Sequence, residues 1–157
     1  MSTVTTETED GVTLITLNRP DALNVFSGQL MDDLAKALIT TNTDPRTRVA
    51  VLTGAGRAFS AGTHLMEMGQ LDALFDFSKP LLLAVNGLGV GIGATISGVA
   101  DMTFMAKSAR LCCPFSSLGL TAEAGRTHRQ PGLQQPLTFR TPLPTMLTYR
   151  HTGSARG

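Results

Sequence analysis

The chain has no tryptophan, a single tyrosine and, beyond Glu123, no acidic residue at all. Without aromatic platforms there is nothing on which unpaired bases could stack. A formal net charge of +1 sets up no field that would draw in nucleic acid or an anionic membrane surface. Cysteine is nearly absent too. Cys112 and Cys113 are neighbours, whereas a structural disulfide normally joins residues distant in sequence, and two alone make no metal-ligand spacing. A reducing compartment and no bound metal are expected. The first residues, MSTVTTETEDG, are polar and acidic, with no basic segment leading into an apolar run, so no secretory signal or transit peptide is expected. The longest apolar stretch, Leu81 to Val99, is interrupted by Asn86 and by Gly87, Gly89, Gly91, Gly93 and Gly98, which argues against a membrane span. A cytoplasmic protein is the resulting expectation.

What is present suits one folded unit. The chain has 157 residues of which 42% are hydrophobic, enough to bury a core. Charge divides it unevenly. Residues 1–125 hold all twelve acids and eight of the bases, whereas 126–157 hold five Arg, no Lys and no acid. Pro131, Pro136, Pro142 and Pro144 fall in the second part, where no helical or strand periodicity survives. The division predicts a core over 1–125 and a basic Pro/Arg/Thr-rich tail over 126–157. That tail reads either as a docking arm for an acidic partner or as a disordered or aberrant terminus, such as a frameshifted or spliced end. The scattered charges favour the second.

Within 1–125 the pattern alternates strands and helices. Val12–Leu17 is an apolar, β-branched run, Thr3–Thr8 is a weaker partner, and Glu9-Asp10-Gly11 makes the turn between them. Asn18-Arg19-Pro20 ends the second strand. Ser27 is a good N-cap for a helix to about Thr41, with Leu30, Leu34 and Leu38 on one face. Val49–Thr53, Leu81–Val85 and Met102–Ala106 read as short buried strands, and a glycine-rich stretch turns into a helix near Gly91. Strands separated by such connections pair in parallel. The fold class is α/β.

Three segments carry a more specific message: Leu14–Leu34 (LITLNRPDALNVFSGQLMDDL), Val49–Leu65 (VAVLTGAGRAFSAGTHL) and Lys79–Met102 (KPLLLAVNGLGVGIGATISGVADM). In this order and spacing they resemble the enoyl-CoA hydratase/isomerase, or crotonase, superfamily. The resemblance implies a ββα spiral that binds acyl-coenzyme A thioesters, with coenzyme A as part of the substrate and no further cofactor. It also implies stabilisation of the thioester enolate by two backbone N–H donors. Preorganised donors of this kind are each worth roughly 2.7–4 kcal/mol in a dry site. By resemblance the donors fall on Thr63, after Ser60-Ala61-Gly62, and on Ile92, within Gly91-Ile92-Gly93. Ala22, Ser60, Ala61, Gly62, His64 and Leu65 are the implied substrate-binding residues. His64 stands where the family commonly has Asp. Gly87-Leu88-Gly89-Val90-Gly91 lacks the spacing and lysine of a nucleotide-phosphate loop.

The family's hydratases use two glutamates, and here those positions match Thr95 and Phe115, the latter after Pro114. Neither can transfer a proton. The acid in the region is Glu123, within CPFSSLGLTAEAG (Cys113–Gly125), a stretch similar to the Δ3,Δ2-enoyl-CoA isomerase branch. There one carboxylate moves a proton between two carbons, so a single base suffices. The family continues for roughly another hundred residues, mostly helices that cover the acyl pocket and build a trimer; here the basic tail stands in their place. Double-bond isomerisation is therefore the favoured expectation. A non-catalytic truncated fragment is the main alternative, and another acyl-CoA reaction, such as hydration or thioester hydrolysis, is the other.

Overall fold

The computed structural model describes residues 2–62, 72–112 and 149–150. Strands β1 (Val4–Glu9) and β2 (Val12–Leu17) form an antiparallel hairpin with Glu9 opposite Val12. Its two-residue turn, Asp10-Gly11, has φ of 48° and 85°, the left-handed conformation that matches strand twist. In β2, Thr13, Ile15 and Leu17 are buried while Val12 and Leu14 remain exposed.

Helix α1 (Gly28–Thr43) starts where the cap chemistry requires, two residues longer than its apolar pattern suggested. The Ser27 hydroxyl accepts the Leu30 N–H at 3.4 Å and is itself held by the Arg19 guanidinium at 2.7 Å. Leu30, Met31, Leu34, Ala37, Leu38 and Thr41 form one buried stripe at helical spacing. Each fully buried leucine stabilises the fold by roughly 1.5–3 kcal/mol. At the other end of α1, the Lys79 ammonium donates to the carbonyls of Thr41 and Asp44 at 3.0 and 2.6 Å. Carbonyls that lack intrahelical partners are satisfied in this way by a cation the helix dipole favours.

After the hairpin the chain winds between two sheets. Strands β3 (Val49–Gly54), β5 (Leu81–Val85) and β7 (Met102–Met105) extend β2 in parallel. Each is followed by a three-residue strand in a second parallel sheet: β4 (Ala58–Ser60), β6 (Leu88–Val90) and β8 (Arg110–Cys112). Strand β9 (Tyr149–Arg150) pairs antiparallel with β7 and closes the large sheet's order as β1-β2-β3-β5-β7-β9; the small one runs β4-β6-β8. This is an α/β spiral, as expected. Within 126–157, read from composition as an irregular tail, Tyr149 and Arg150 are the described residues. The helix expected near Gly91 is α3 (Ile92–Thr95), following α2 (Asp72–Phe75) and continuing into a 3-10 turn at Ile96–Gly98.

The core lies where α1 meets the inner face of the large sheet. Ile15, Leu17, Leu52 and Leu83 have no exposed surface. Among the described residues no helix is long and apolar enough to cross a membrane.

Candidate functional site

The small sheet owes its position to close approaches of backbone. Strands β4 and β6 are parallel neighbours, with Ser60 opposite Gly89, so the chain leaves both strands on the same side. It leaves β4 through Ala61 and Gly62, and β6 through Gly91 into α3. The two exits touch. A Cβ on Gly93 would lie 2.8 Å from the Ser60 carbonyl oxygen and 2.9 Å from its Cβ; one on Gly62 would lie 3.1 Å from the Val90 carbonyl oxygen. No side chain fits at Gly93 without moving the other loop. At Gly62 φ is 101°, a conformation that glycine adopts freely and other residues do not.

The first loop is held by the turn that follows β2. Asn24 is fully buried with φ of 53°. Its amide donates to the carbonyls of Ala55 and Ala58, both at 2.9 Å, and its Oδ1 accepts the Arg19 N–H at 2.8 Å. Its own carbonyl accepts the Ser60 hydroxyl at 2.8 Å, and that hydroxyl accepts the Gly62 N–H at 3.2 Å. The Ala61 N–H goes to the Leu23 carbonyl at 2.9 Å, and the Gly62 carbonyl accepts from Phe26 at 2.8 Å. From the other side Asn86 donates to the Gly56 carbonyl at 2.8 Å and accepts the Gly54 N–H at 3.3 Å. Two buried or strand-end asparagines thus hold the β3–β4 turn, and neither stood out in the sequence, where Asn86 served only to break an apolar run. The available signal was an amide between apolar neighbours: Leu23 and Val25 in one case, Val85 and a glycine in the other.

The second loop starts from Gly91, whose φ of 55° and ψ of −116° suit glycine alone. Its N–H donates to the Cys112 carbonyl at 2.8 Å, which ties the loop to the end of β8. The N–H groups of Ala94 and Thr95 both bond the Gly91 carbonyl at 2.9 Å. The N–H groups of Ile92 and Gly93 have no acceptor among the described residues, as befits the first positions of a helical turn. Ile92 is buried, so its bulk packs into the protein.

The structure therefore brings together Ser60, Ala61, Gly62 and Ile92 from the sequence-derived candidates. The Ser60 side chain is fully buried and its hydroxyl is used within the chain, which leaves its backbone as the part able to meet a ligand. Ala22 is half-buried, ending a 3-10 turn (Pro20–Ala22), and its carbonyl accepts from Val25 at 3.1 Å. Thr63, His64, Leu65, Phe115 and Glu123 lie outside the described residues. Thr95, matched by resemblance to one of the family's glutamate positions, is buried, and its hydroxyl bonds back to the Ile92 carbonyl at 3.3 Å. No group of His, Cys, Asp and Glu among the described residues could hold a metal ion.

A cleft of about 290 Å³ lies elsewhere, at the entry ends of β5 and β7, lined in part by Leu74, Phe77, Lys79, Leu81, Val99 and Asp101. Its charged groups are engaged in holding the fold: Lys79 caps α1, and the Asp101 carboxylate accepts the Leu81 N–H at 2.8 Å. The glycine exits, with two donors that have no acceptor among the described residues, are the better candidate for chemistry.

The enoyl-CoA hydratase/isomerase family model matches residues 7–132. The chain belongs to this family. The match runs past the change in composition at residue 125. The chain is 34% identical over 147 residues to 1,2-epoxyphenylacetyl-CoA isomerase of Escherichia coli (strain K12), an alignment covering 81% of this chain and 56% of that protein. It is likewise 34% identical to peroxisomal enoyl-CoA delta isomerase 3 of Mus musculus, over 82% of this chain and 46% of that one. Among solved structures, an enoyl-CoA hydratase from Mycobacterium marinum superimposes with a TM-score of 0.72 at 48% identity, covering 78% of this chain and 65% of that one. This family member therefore has the crotonase fold, and it spans about half the length of the curated relatives it matches.

Proposed function

We propose that this family member binds an acyl-CoA thioester at the paired glycine loops and polarises its carbonyl with backbone N–H groups, Ile92 being one donor and Thr63 the other. The observation that carries this reading is the interlocking of two loops that leave adjacent parallel strands on one side, with the Ile92 amide unpaired among the described residues. Backbone donors suit this task because they are fixed before the substrate arrives, and an enolate oxygen gains charge just where they lie. The backbone of residues 60–62, held in shape by its bonds to Leu23 and the Ser60 hydroxyl, and the half-buried Ala22 would line the acyl-CoA site. Coenzyme A enters as substrate, and no separate cofactor is invoked.

Double-bond migration is the favoured reaction. The family's first glutamate position is Thr95, whose hydroxyl is already used, so the two-carboxylate route of water addition lacks one of its groups. Glu123 remains as the single base, and one base is enough to move a proton between two carbons of the same substrate. A second reading is acyl-CoA binding without catalysis, as in a non-catalytic fragment, and it is favoured by the buried, back-bonded Thr95 hydroxyl where the family's hydratases carry a glutamate.

Incubation with a 3-enoyl-CoA and, separately, a 2-enoyl-CoA decides between them. Conjugation of the first, with kcat reduced about 10²–10⁴-fold in Glu123→Gln, is the expected result. Formation of a 3-hydroxyacyl product from the second would overturn isomerisation. Binding without turnover of either would select the fragment.

A further inference from the structure

We infer that Ser60 is a positioning residue whose buried hydroxyl sets the spacing of the two donor loops, so that each loop is held in place through the other. Three observations meet at this side chain. Its hydroxyl bridges the Asn24 carbonyl and the Gly62 N–H at 2.8 and 3.2 Å. Its carbonyl and Cβ form the wall against which Gly93 packs, with space for no more than a hydrogen there. It has no exposed surface, so water cannot replace the hydroxyl if it is lost. Asn24 in turn is anchored through its side chain to Arg19, Ala55 and Ala58. The path therefore runs from the turn after β2, through one hydroxyl, to the loop at Gly62, and by contact to the loop at Gly93.

The physical requirement behind this arrangement is precision. Two donors can share one oxygen only if both nitrogens lie about 3 Å from it, and a displacement near 1 Å of such groups costs on the order of 10²-fold in rate. The strands themselves are anchored by apolar side chains such as Phe59, but Ala61, Gly62 and Gly91, where the chain leaves them, carry no large side chain, so hydrophobic packing does little to hold the exits. A buried hydroxyl that both donates and accepts takes over that role. The inference rests on the proposed function for its purpose and on the described geometry for its content.

The test uses amide spectra of the full chain. In Ser60→Ala, hydrogen exchange at the Gly62 N–H should accelerate about tenfold, as one net buried bond is lost. The amide resonances of Ile92 and Gly93, to which Ser60 makes no hydrogen bond, should shift as well. The reciprocal variant, Gly93→Ala, should speed exchange at Gly62 although it removes no hydrogen bond there, and it keeps the test valid if Ser60→Ala does not fold. Exchange at Leu34 and Leu38 in α1 serves as the control and should stay unchanged. Effects confined to the mutated loop would overturn the inference, and so would a uniform rise that includes α1. A second arm compares a saturated acyl-CoA with coenzyme A. Ser60→Ala should weaken the thioester about fivefold and leave coenzyme A unaffected, whereas equal weakening of both would count against a role at the donors. If the unaltered chain does not prefer the thioester to coenzyme A, the functional reading fails, and the spectra still decide the coupling.

Discussion

The two sheets are built by opposite means. The large sheet is held by side-chain volume: Ile15, Leu17, Leu52, Leu83 and Val85 meet Leu30, Leu34 and Leu38 of α1 with almost no exposed surface. The small sheet is held by the lack of side-chain volume, since Gly62, Gly89 and Gly93 let β4, β6, α3 and the Leu111 side chain close on one another. The first arrangement stores stability in many additive contacts. The second stores geometry in a few close contacts that leave little room for a side chain. Substitutions should therefore separate into those that lower stability and spare the loops, and those that disturb the loops at smaller cost in stability.

The largest effect should come from the large sheet. Leu52→Ala removes a fully buried side chain and should cost about 2–5 kcal/mol, the usual range for a leucine cavity, read as a lower urea midpoint with unchanged slope. The folded fraction should keep any acyl-CoA affinity. An affinity loss exceeding the stability loss would show that the two regions are not separate. Asn24→Ala comes next. It removes the side-chain partner of the Ala55 carbonyl and of the Arg19 N–H and leaves the Ala58 carbonyl with the longer Asn86 contact at 3.5 Å, at a cost of roughly 1–3 kcal/mol for an unmet buried group. Unlike Leu52→Ala, it should also reduce thioester binding, because the turn it anchors holds Ser60.

The same contrast explains what could be read from the residues alone. Strands β2, β3, β5 and β7 are runs of four to six residues with apolar, β-branched character, and Ser27 marks the start of α1 by its cap chemistry. Those features depend on local pattern. Strands β4, β6 and β8 did not stand out because each has three residues, too few to show alternation, and β6 carries a glycine that usually signals a turn. Their pairing depends on contacts between segments far apart in sequence. The loops were singled out only through resemblance, and in the structure Ile92 and Gly62 lie on neighbouring exits. Asn24 and Asn86 stayed unread for the same reason: a buried amide is recognised by the carbonyls it reaches, and those lie about thirty positions away.

A smaller effect tests the join between α1 and the large sheet. Lys79→Met keeps the length of the side chain and removes the donors to the Thr41 and Asp44 carbonyls. The expected loss is about 1 kcal/mol, typical of one or two net hydrogen bonds at a half-exposed helix end. Faster amide exchange limited to the last turn of α1 would identify the cause. A loss spread over β5 would instead mean that Lys79 acts by setting the start of that strand.

The smallest effect should be the response to acid, and it too should distinguish the two regions. Asp33 lies below the ordinary carboxylate value of 3.8, chiefly because the Thr3 hydroxyl and then the Thr3 N–H donate to it, at 2.7 and 3.1 Å. Asp44 is also lowered, chiefly by hydrogen bonds from the Arg46 side chain. A carboxylate with a depressed folded pKa contributes stability above its unfolded value and loses it as pH falls through the folded one. Stability should therefore be flat at neutral pH and decline as pH drops below about 4. Both groups belong to α1 and its contacts, whereas residues 54–62 and 86–98 contain no acidic residue. Acid should thus loosen the β1–α1 contact and the end of α1 before it reaches the glycine loops, visible as earlier exchange at Thr3 and Arg46 than at Gly62. Salt should separate the two acids. Arg46 is 78% exposed, so its pairing with Asp44 is screened and worth little, while the neutral donors at Thr3 are indifferent to ionic strength. Asp33→Asn should accordingly flatten the acid limb equally at low and high salt, and Asp44→Asn more at low salt than at high, because its side-chain pairing with Arg46 is screened while the Arg46 N–H bond at 2.9 Å is not. Earlier exchange at Gly62 than at Thr3 would place the acid-sensitive contacts in the small sheet and remove the separation between the two regions.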